Sequence, residues 1–225
     1  MHNALKTEAT SFHSDIARRG ITRLVHFTTL INLFSIYEQG ALLSRNRLFD
    51  LQITTPNLHL DHYLTINDRI RLDCAPNFIN LSIQMPNRWL LKAFKSALER
   101  KDDAWCILAI DLEPIMWRDT VFSVNNAASS VARTAGIGPS INHWNALFAA
   151  TVKGSGGRVF NRSAMPANLP TDAQAEVLVK DEIPTSFIQE IIFENNEDLR
   201  TARGALSFLI NSSPPSLRAD PTLFT

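Results

Sequence analysis

The chain has 225 residues, 45% hydrophobic and 20% charged, enough for one globular domain with a sizeable core. No run approaches the roughly 18 apolar residues that span a bilayer, and residues 1–8 lack the basic segment and apolar core of a secretory leader, so the expected compartment is the cytoplasm with no membrane partner. The zero net charge argues against a strongly basic nucleic-acid coat, although residues 1–101 carry 13 Lys and Arg against 8 Asp and Glu while residues 102–225 carry 9 against 14.

Residues 1–20 are polar and mildly helical and read as an N-terminal arm or first helix. Ile21–Phe27 alternates as a strand does. Thr28 or Thr29 then supplies an N-cap, Leu30, Leu33, Phe34, Ile36 and Tyr37 form a helical face, and Gly40 takes the C′ position. Ala41–Leu43 resumes in extended form, which leaves His26 at the first strand–helix junction. Arg18, Arg19, Arg23, Arg45 and Arg47 crowd this part of the chain, either as a phosphate-facing patch or as a scattered solvated face. Residues 44–76 read as irregular, and a connection this long within a compact domain is expected to be functional or partly helical.

Phe78–Ile83 is a strand, Trp89–Leu98 has helical spacing, and Trp105–Leu112 is the most strand-like run and is expected to be central. Val121–Val124 reads as a short strand, Asn125–Ala135 as a helix capped by Asn125, and Ser140–Ala150 as a helix around Trp144. Lys153–Gly157 has the most flexible composition in the chain and opens a mobile loop that runs to Asp172. Strands at 175–180 and 188–194, a helix at 198–210 and a Ser/Pro-rich tail complete the sequence. The elements mix without strict strand–helix alternation, which predicts a single α+β domain on a twisted, mixed or mostly antiparallel sheet.

Phosphate loops of the GxxxxGK[ST] kind, GxGxxG after a strand, HExxH and GxSxG are all missing. Cys74 and Cys106 form neither a metal spacing nor a disulfide framework, and His59 and His62 lack nearby thiolates, so no metal is expected. Glu176 stands where a polar loop becomes an apolar strand. It is either a solvent-facing strand residue or a carboxylate held at the edge of a cleft. His26, at a helix N-terminus, is either a buried histidine bonded to a carbonyl or a group that meets a polar ligand.

Three segments, taken in order, resemble the DarT family of bacterial DNA ADP-ribosyltransferase toxins. They are His26-Phe27-Thr28 with Asn32-Leu33 and Gly40-Ala41-Leu42-Leu43; Asn67-Asp68-Arg69-Ile70-Arg71-Leu72-Asp73 followed by Ile79–Ile83 and Pro86-Asn87; and Pro170-Thr171-Asp172-Ala173-Gln174-Ala175-Glu176-Val177-Leu178-Val179. The likeness runs from about residue 21 to 194, with 1–20 as an arm and 195–225 as a helix and tail without a placed counterpart. Asp73-Cys74-Ala75 departs from the small-residue turn with glycine expected there.

The resemblance implies an ADP-ribosyltransferase-like fold, NAD as ADP-ribose donor, a base of single-stranded DNA as acceptor, and a macrodomain-containing antitoxin as partner. It implies Glu176 as the catalytic glutamate and His26, Phe27 and Thr28 as the nicotinamide-side pocket, with Ser35 and Leu43 as further NAD contacts. The family's pocket arginine falls on Arg71 or Arg69, with Arg71 favoured. Residues 153–172 become the substrate-recognition loop, and Arg69, Arg47 and Arg162 candidate substrate contacts. Trp144 and Phe160 near the loop are candidate base-stacking aromatics, with core packing an equal alternative for Trp144. Thymine and guanine both remain open as the modified base. Transfer to RNA, NAD hydrolysis alone and a catalytically silent nucleic-acid or NAD-binding module are the competing readings.

Overall fold

The computed structural model describes residues 4–54, 76–96, 103–154, 157–210 and 215–225. A seven-stranded sheet runs in the order β11-β10-β4-β1-β3-β8-β5. Its strands are β1 (Leu24–Thr29), β3 (Phe78–Ile83), β4 (Trp105–Ile110), β5 (Val121–Ser123), β8 (Glu176–Lys180), β10 (Ile188–Phe193) and β11 (Ser216–Ala219). Neighbours are antiparallel except β10 and β11, which are parallel. The expected mixed, mostly antiparallel α+β sheet is therefore observed. β4 is buried along its whole length, as a strand covered on both faces must be, and its unbroken apolar run made that legible.

The local chemistry of the first unit fits its sequence. Thr29 caps helix α2 (Leu30–Gln39) by accepting from the Asn32 N–H, and Gly40 ends it at φ 71°, a left-handed conformation that glycine adopts without a Cβ penalty. Leu33 and Ile36 of α2 are buried. Strand β2 (Ala41–Leu43) then pairs with β9 (Glu182–Pro184).

Of the two readings of residues 1–20, the first helix is observed and the loose arm is not. Residues 4–6 pair with the 116–118 segment, and helix α1 (Ala9–Arg19) buries Phe12 and Ile16 in the main core. The N-terminal residues are thus a packed element and not an arm. The Ser/Pro-rich tail contributes β11 beside β10, and Leu223 and Phe224 fill a second small core. The early arginines do not make one stripe either. Arg18 and Arg19 bond to Asp15, Arg23 bonds to the Gln84 carbonyl and lies near Glu190, and Arg47 faces Glu182.

Lys6 is the unusual residue of the N-terminal contact. Its ammonium donates to the carbonyls of Ile115 and Trp117 at 2.8 Å each and lies 4.9 Å from the centroid of the Phe122 ring. Burial lowers its pKa from 10.5 to about 7, with Asp119 and Glu8 pulling partly the other way. Above pH 7 the folded lysine loses its proton while the unfolded one keeps it, so this residue makes stability rise as pH increases from 7 towards 10. Urea midpoints measured at pH 7 and pH 9 should therefore rise in the wild type. The rise should be visibly smaller in Lys6→Met.

Candidate active site

β1 pairs with β4 over six residues but with β3 only at Leu24 and Val25. Beyond that point β1 stays with β4 while β3 leaves with β8, and the sheet splits. A cavity of about 500 Å³ occupies this wedge. Residues 25–29 of β1 and 78–82 of β3 form its sides, and α2 contributes Asn32 and Ile36. Leu42, Leu43, Ser44, Arg45 and Leu48 come from β2 and helix α3 (Arg45–Thr54), while Glu176 enters from β8.

His26 is fixed at the split. Its Nδ1 lies 3.0 Å from the carbonyl oxygen of Asn80 on β3. A carbonyl only accepts, so Nδ1 carries the proton, and in the neutral ring Nε2 is left as an acceptor. Burial holds the ring's pKa below the ordinary histidine value, opposed in part by the Asn80 bond. The ring is thus neutral at pH 7. The two sequence readings of His26 merge: it is bonded to a carbonyl, and it lines the cavity.

Thr28 and Asn32 bond to each other, Nδ2 to Oγ1 at 3.1 Å, at the N-terminus of α2, where the helix dipole favours an anionic group. Phe27, Phe94 and Trp105 meet with ring centroids 6.1 to 6.3 Å apart and line the same cavity. The wedge therefore has an apolar aromatic wall and a polar end. Such a surface suits a ligand with a flat ring and a charged, hydroxyl-bearing remainder.

Glu176 is buried, with 6% of its surface exposed. That removes the solvent-facing alternative. Its Oε2 accepts from the Ala127 N–H at 2.8 Å, and the orientation of that N–H is itself supported. Glu176 lies opposite Ser123 on β5, and the Ser123 hydroxyl donates to the Asn125 carbonyl at 2.7 Å. The Asn125 side chain in turn accepts from Ser129 and donates to the Lys153 carbonyl. Sequence reasoning assigned Asn125–Ala135 to a helix. The helix here, α5, is only Ser130–Ala135 with Ser129 as its cap, and the preceding loop holds the glutamate. The signal that could have found it is Asn125-Asn126-Ala127-Ala128-Ser129, whose polar and small residues suit a tight backbone approach and whose second cap candidate is Ser129.

The Thr171-Asp172 turn before Glu176 is equally well tied. Thr171 donates its N–H to the Leu147 carbonyl and its hydroxyl to the Ala149 carbonyl, at 2.8 and 2.7 Å. Asp172 Oδ1 accepts from the Gln174 N–H. Its buried Oδ2 has no hydrogen-bond partner among the described residues, and burial raises the carboxyl's pKa. A Cβ on Gly154 would lie 2.4 Å from the Phe160 ring and 3.4 Å from that oxygen, so only glycine fits there without displacement.

The described residues between 153 and 172 are tied down by hydrogen bonds. β6 (Thr151–Lys153) and β7 (Val159–Asn161) form a hairpin. Arg162 gathers the rest, donating to the carbonyls of Pro166, Ala167 and Leu169 and to the Thr171 hydroxyl. Its guanidinium, expected on the substrate, faces the loop's own backbone. Of the two readings of Trp144, core packing is the one observed: it is fully buried among Phe12, Phe122 and Phe148. Phe160 is half-buried and packs over Gly154.

The fold brings His26, Phe27, Thr28, Leu43 and Glu176 to one cavity. Ser35, on α2, is not among the residues that line it, and Arg47 lies on α3 between the lining residues Arg45 and Leu48. Arg69 and Arg71, with His59 and His62, lie outside the described residues. Among the described residues no group of three His, Cys, Asp or Glu is placed to hold a metal, and no helix is long and apolar enough to cross a membrane.

A family model described as "DarT: ssDNA thymidine ADP-ribosyltransferase, DarT" matches residues 25–224, which extends the likeness thirty residues beyond position 194, through β11. Among solved structures, Thermus sp. 2.9 DarT in complex with NAD+ is similar at 17% identity with a TM-score of 0.60, over 91% of this chain and 98% of that one. The same Thermus protein in complex with ADP-ribosylated ssDNA matches at 16% identity and TM-score 0.59, over 92% and 97% of the two chains. Thermosipho africanus DarTG in complex with ADP-ribose matches at 18% identity and TM-score 0.55, over 90% of this chain and 51% of that one. These likenesses establish the shared fold. No curated protein matches the chain.

Proposed function

From its membership of the DarT family, to which the chain belongs, we infer that it is an NAD-dependent ADP-ribosyltransferase acting on single-stranded DNA. Thymine is the acceptor base, and the chain is the toxin of a toxin–antitoxin pair of the DarTG kind. We take residues 1–225 as one such domain, working in the cytoplasm. The observation that carries the site assignment is the burial of Glu176 in the same wedge as His26, Phe27 and Thr28.

The proposed chemistry follows from that arrangement. The bond between ribose C1′ and the nicotinamide nitrogen breaks, neutral nicotinamide leaves, and oxocarbenium character grows on the sugar. The carboxylate of Glu176, fixed by the Ala127 N–H, stabilises that charge without having to reorganise. Thymidine keeps one ring N–H, at N3. Glu176 takes that proton as N3 bonds to C1′, which is general-base help worth about 10²–10⁴-fold. His26 Nε2 accepts from a ribose hydroxyl, and the Phe27–Phe94–Trp105 wall receives the flat base or nicotinamide. Arg71, or Arg69 in its place, serves the diphosphate or the developing base anion by its planar fork; that role rests on the sequence resemblance. A single-stranded acceptor avoids the cost of extruding a base, roughly a few kcal/mol.

Incubation with adenylate-labelled NAD and a pool of oligonucleotides, followed by mass spectrometry, tests this reading. The expected product is DNA heavier by one ADP-ribose on thymine, with release of one nicotinamide. Label on RNA alone, or nicotinamide release independent of DNA with no adduct, would overturn it.

A further inference from the structure

Of the chain's four tryptophans, Trp105, Trp117 and Trp144 are buried, whereas Trp89 is 73% exposed. Leaving an indole in water forgoes the largest apolar gain any side chain offers. Trp89 sits in the first turn of helix α4 (Arg88–Lys95), between Asn87 and Leu90, both of which line the cavity, as does Phe94 one turn later. Beside small Ala93, its exposed neighbours on the same helix are the cations Arg88 and Lys92, and across from it lies Arg158, whose guanidinium is 5.8 Å from the indole ring centroid, within cation–π range.

Arg158 belongs to the turn of the β6–β7 hairpin. That hairpin is bonded through Lys153 to Asn125, and so to the loop that orients Glu176. An exposed indole and a guanidinium, held by two different elements at the edge of the cavity, make a surface that takes a flat, anionic polymer. An apolar protein face would have to bury these cations on contact.

Resting on the transferase reading, we propose that Trp89 and Arg158 form a stacking platform for a nucleobase of the single-stranded DNA next to the modified thymine. The indole face carries the base and Arg158 supplies a second planar contact and a positive charge beside the backbone. Every base has a π-face, so this contact holds the strand with little regard to sequence. Selection of thymine then falls to the cavity.

Trp117 and Trp144 are buried in the core, but Trp105 lines the cavity and can respond to a bound base, so Trp89 is read from the part of the emission change that Trp89→Leu removes. Titrating oligothymidine without NAD should give saturable quenching in the wild type, lost in Trp89→Leu and largely kept in Trp89→Phe only as DNA affinity, read by anisotropy. In the transfer assay Trp89→Leu should raise KM for the oligonucleotide about ten-fold or more, with a smaller change in kcat, and Trp89→Phe should restore most of the KM. Wild-type emission unmoved by DNA, or an unchanged KM in Trp89→Leu, would overturn the platform while DNA labelling persisted. A wild type that quenches with DNA, loses that quenching in Trp89→Leu and yet labels no DNA would overturn the transferase reading and leave the platform standing.

Discussion

Replacing Glu176 by glutamine is expected to lower kcat for ADP-ribose transfer by about 10²–10⁴-fold while leaving NAD affinity within about three-fold, since no more than about 0.7 kcal/mol of binding should depend on this charge. The amide oxygen of glutamine can still accept from the Ala127 N–H, which the carboxylate accepts at 2.8 Å, so the local backbone keeps its partner. What would disappear, on the proposed mechanism, is the negative charge that stabilises C1′ and the base that receives the N3 proton. Single-turnover transfer to an oligonucleotide, calorimetric titration with NAD and a thermal melt on the same preparation separate these effects. Near wild-type turnover would remove Glu176 from the chemistry. A collapse of the melting temperature along with activity would make it a structural residue instead.

The second large effect is expected at a distance from the reacting atoms. Arg162→Ala removes donors to the carbonyls of Pro166, Ala167 and Leu169 and to the Thr171 hydroxyl, so the segment leading into Thr171–Glu176 loses its internal brace. Several of these acceptors face water and can be rehydrated, which limits the stability loss to about 1–2 kcal/mol. For a chain of this length that is a melting temperature lower by roughly 3–6 °C. Turnover should suffer more than stability, because a catalytic group displaced by about 1 Å can lose about 10²-fold in rate. Arg162→Lys should not rescue it, since an ammonium cannot reach four acceptors arranged around a planar fork. If Arg162→Ala instead raised KM for DNA and spared both kcat and the melt, the guanidinium would be a substrate contact after all.

How much of this could be read from the sequence depended on the range of the interactions. The Thr29 cap and Gly40 terminus, the β3 and β4 strands and the loop-to-strand position of Glu176 are local, and a few neighbouring residues determine each. The role of Asn125 was missed because its side chain reaches Lys153, 28 residues away, and a residue that suits an N-cap suits that bond equally well. Arg162 carries the same lesson, since a loop arginine looks like a phosphate ligand until its acceptors are found within the loop. Trp144 packs on Phe148 one helical turn away, which its own window indicates, and on the distant Phe12 and Phe122, which it does not. The tail became a strand because the edge of β10 was open to receive it, a property of the finished sheet. Trp89 had helical spacing with core residues, and only the folded chain shows that it was left outside.

The split between β1 and β3 has a mechanical meaning. Two residue pairs hinge the β11-β10-β4-β1 half of the sheet to the β3-β8-β5 half, and the His26–Asn80 bond stitches across the gap. A dinucleotide lodged in that gap would work as a rivet, binding to both halves and adding RT ln(1 + [L]/Kd) to the stability of the assembled sheet. The stability it adds is felt along the one line where the protein's own ladder is incomplete. Loading the donor would then stiffen the hinge that sets the distance between His26 on one half and Glu176 on the other, before any DNA arrives.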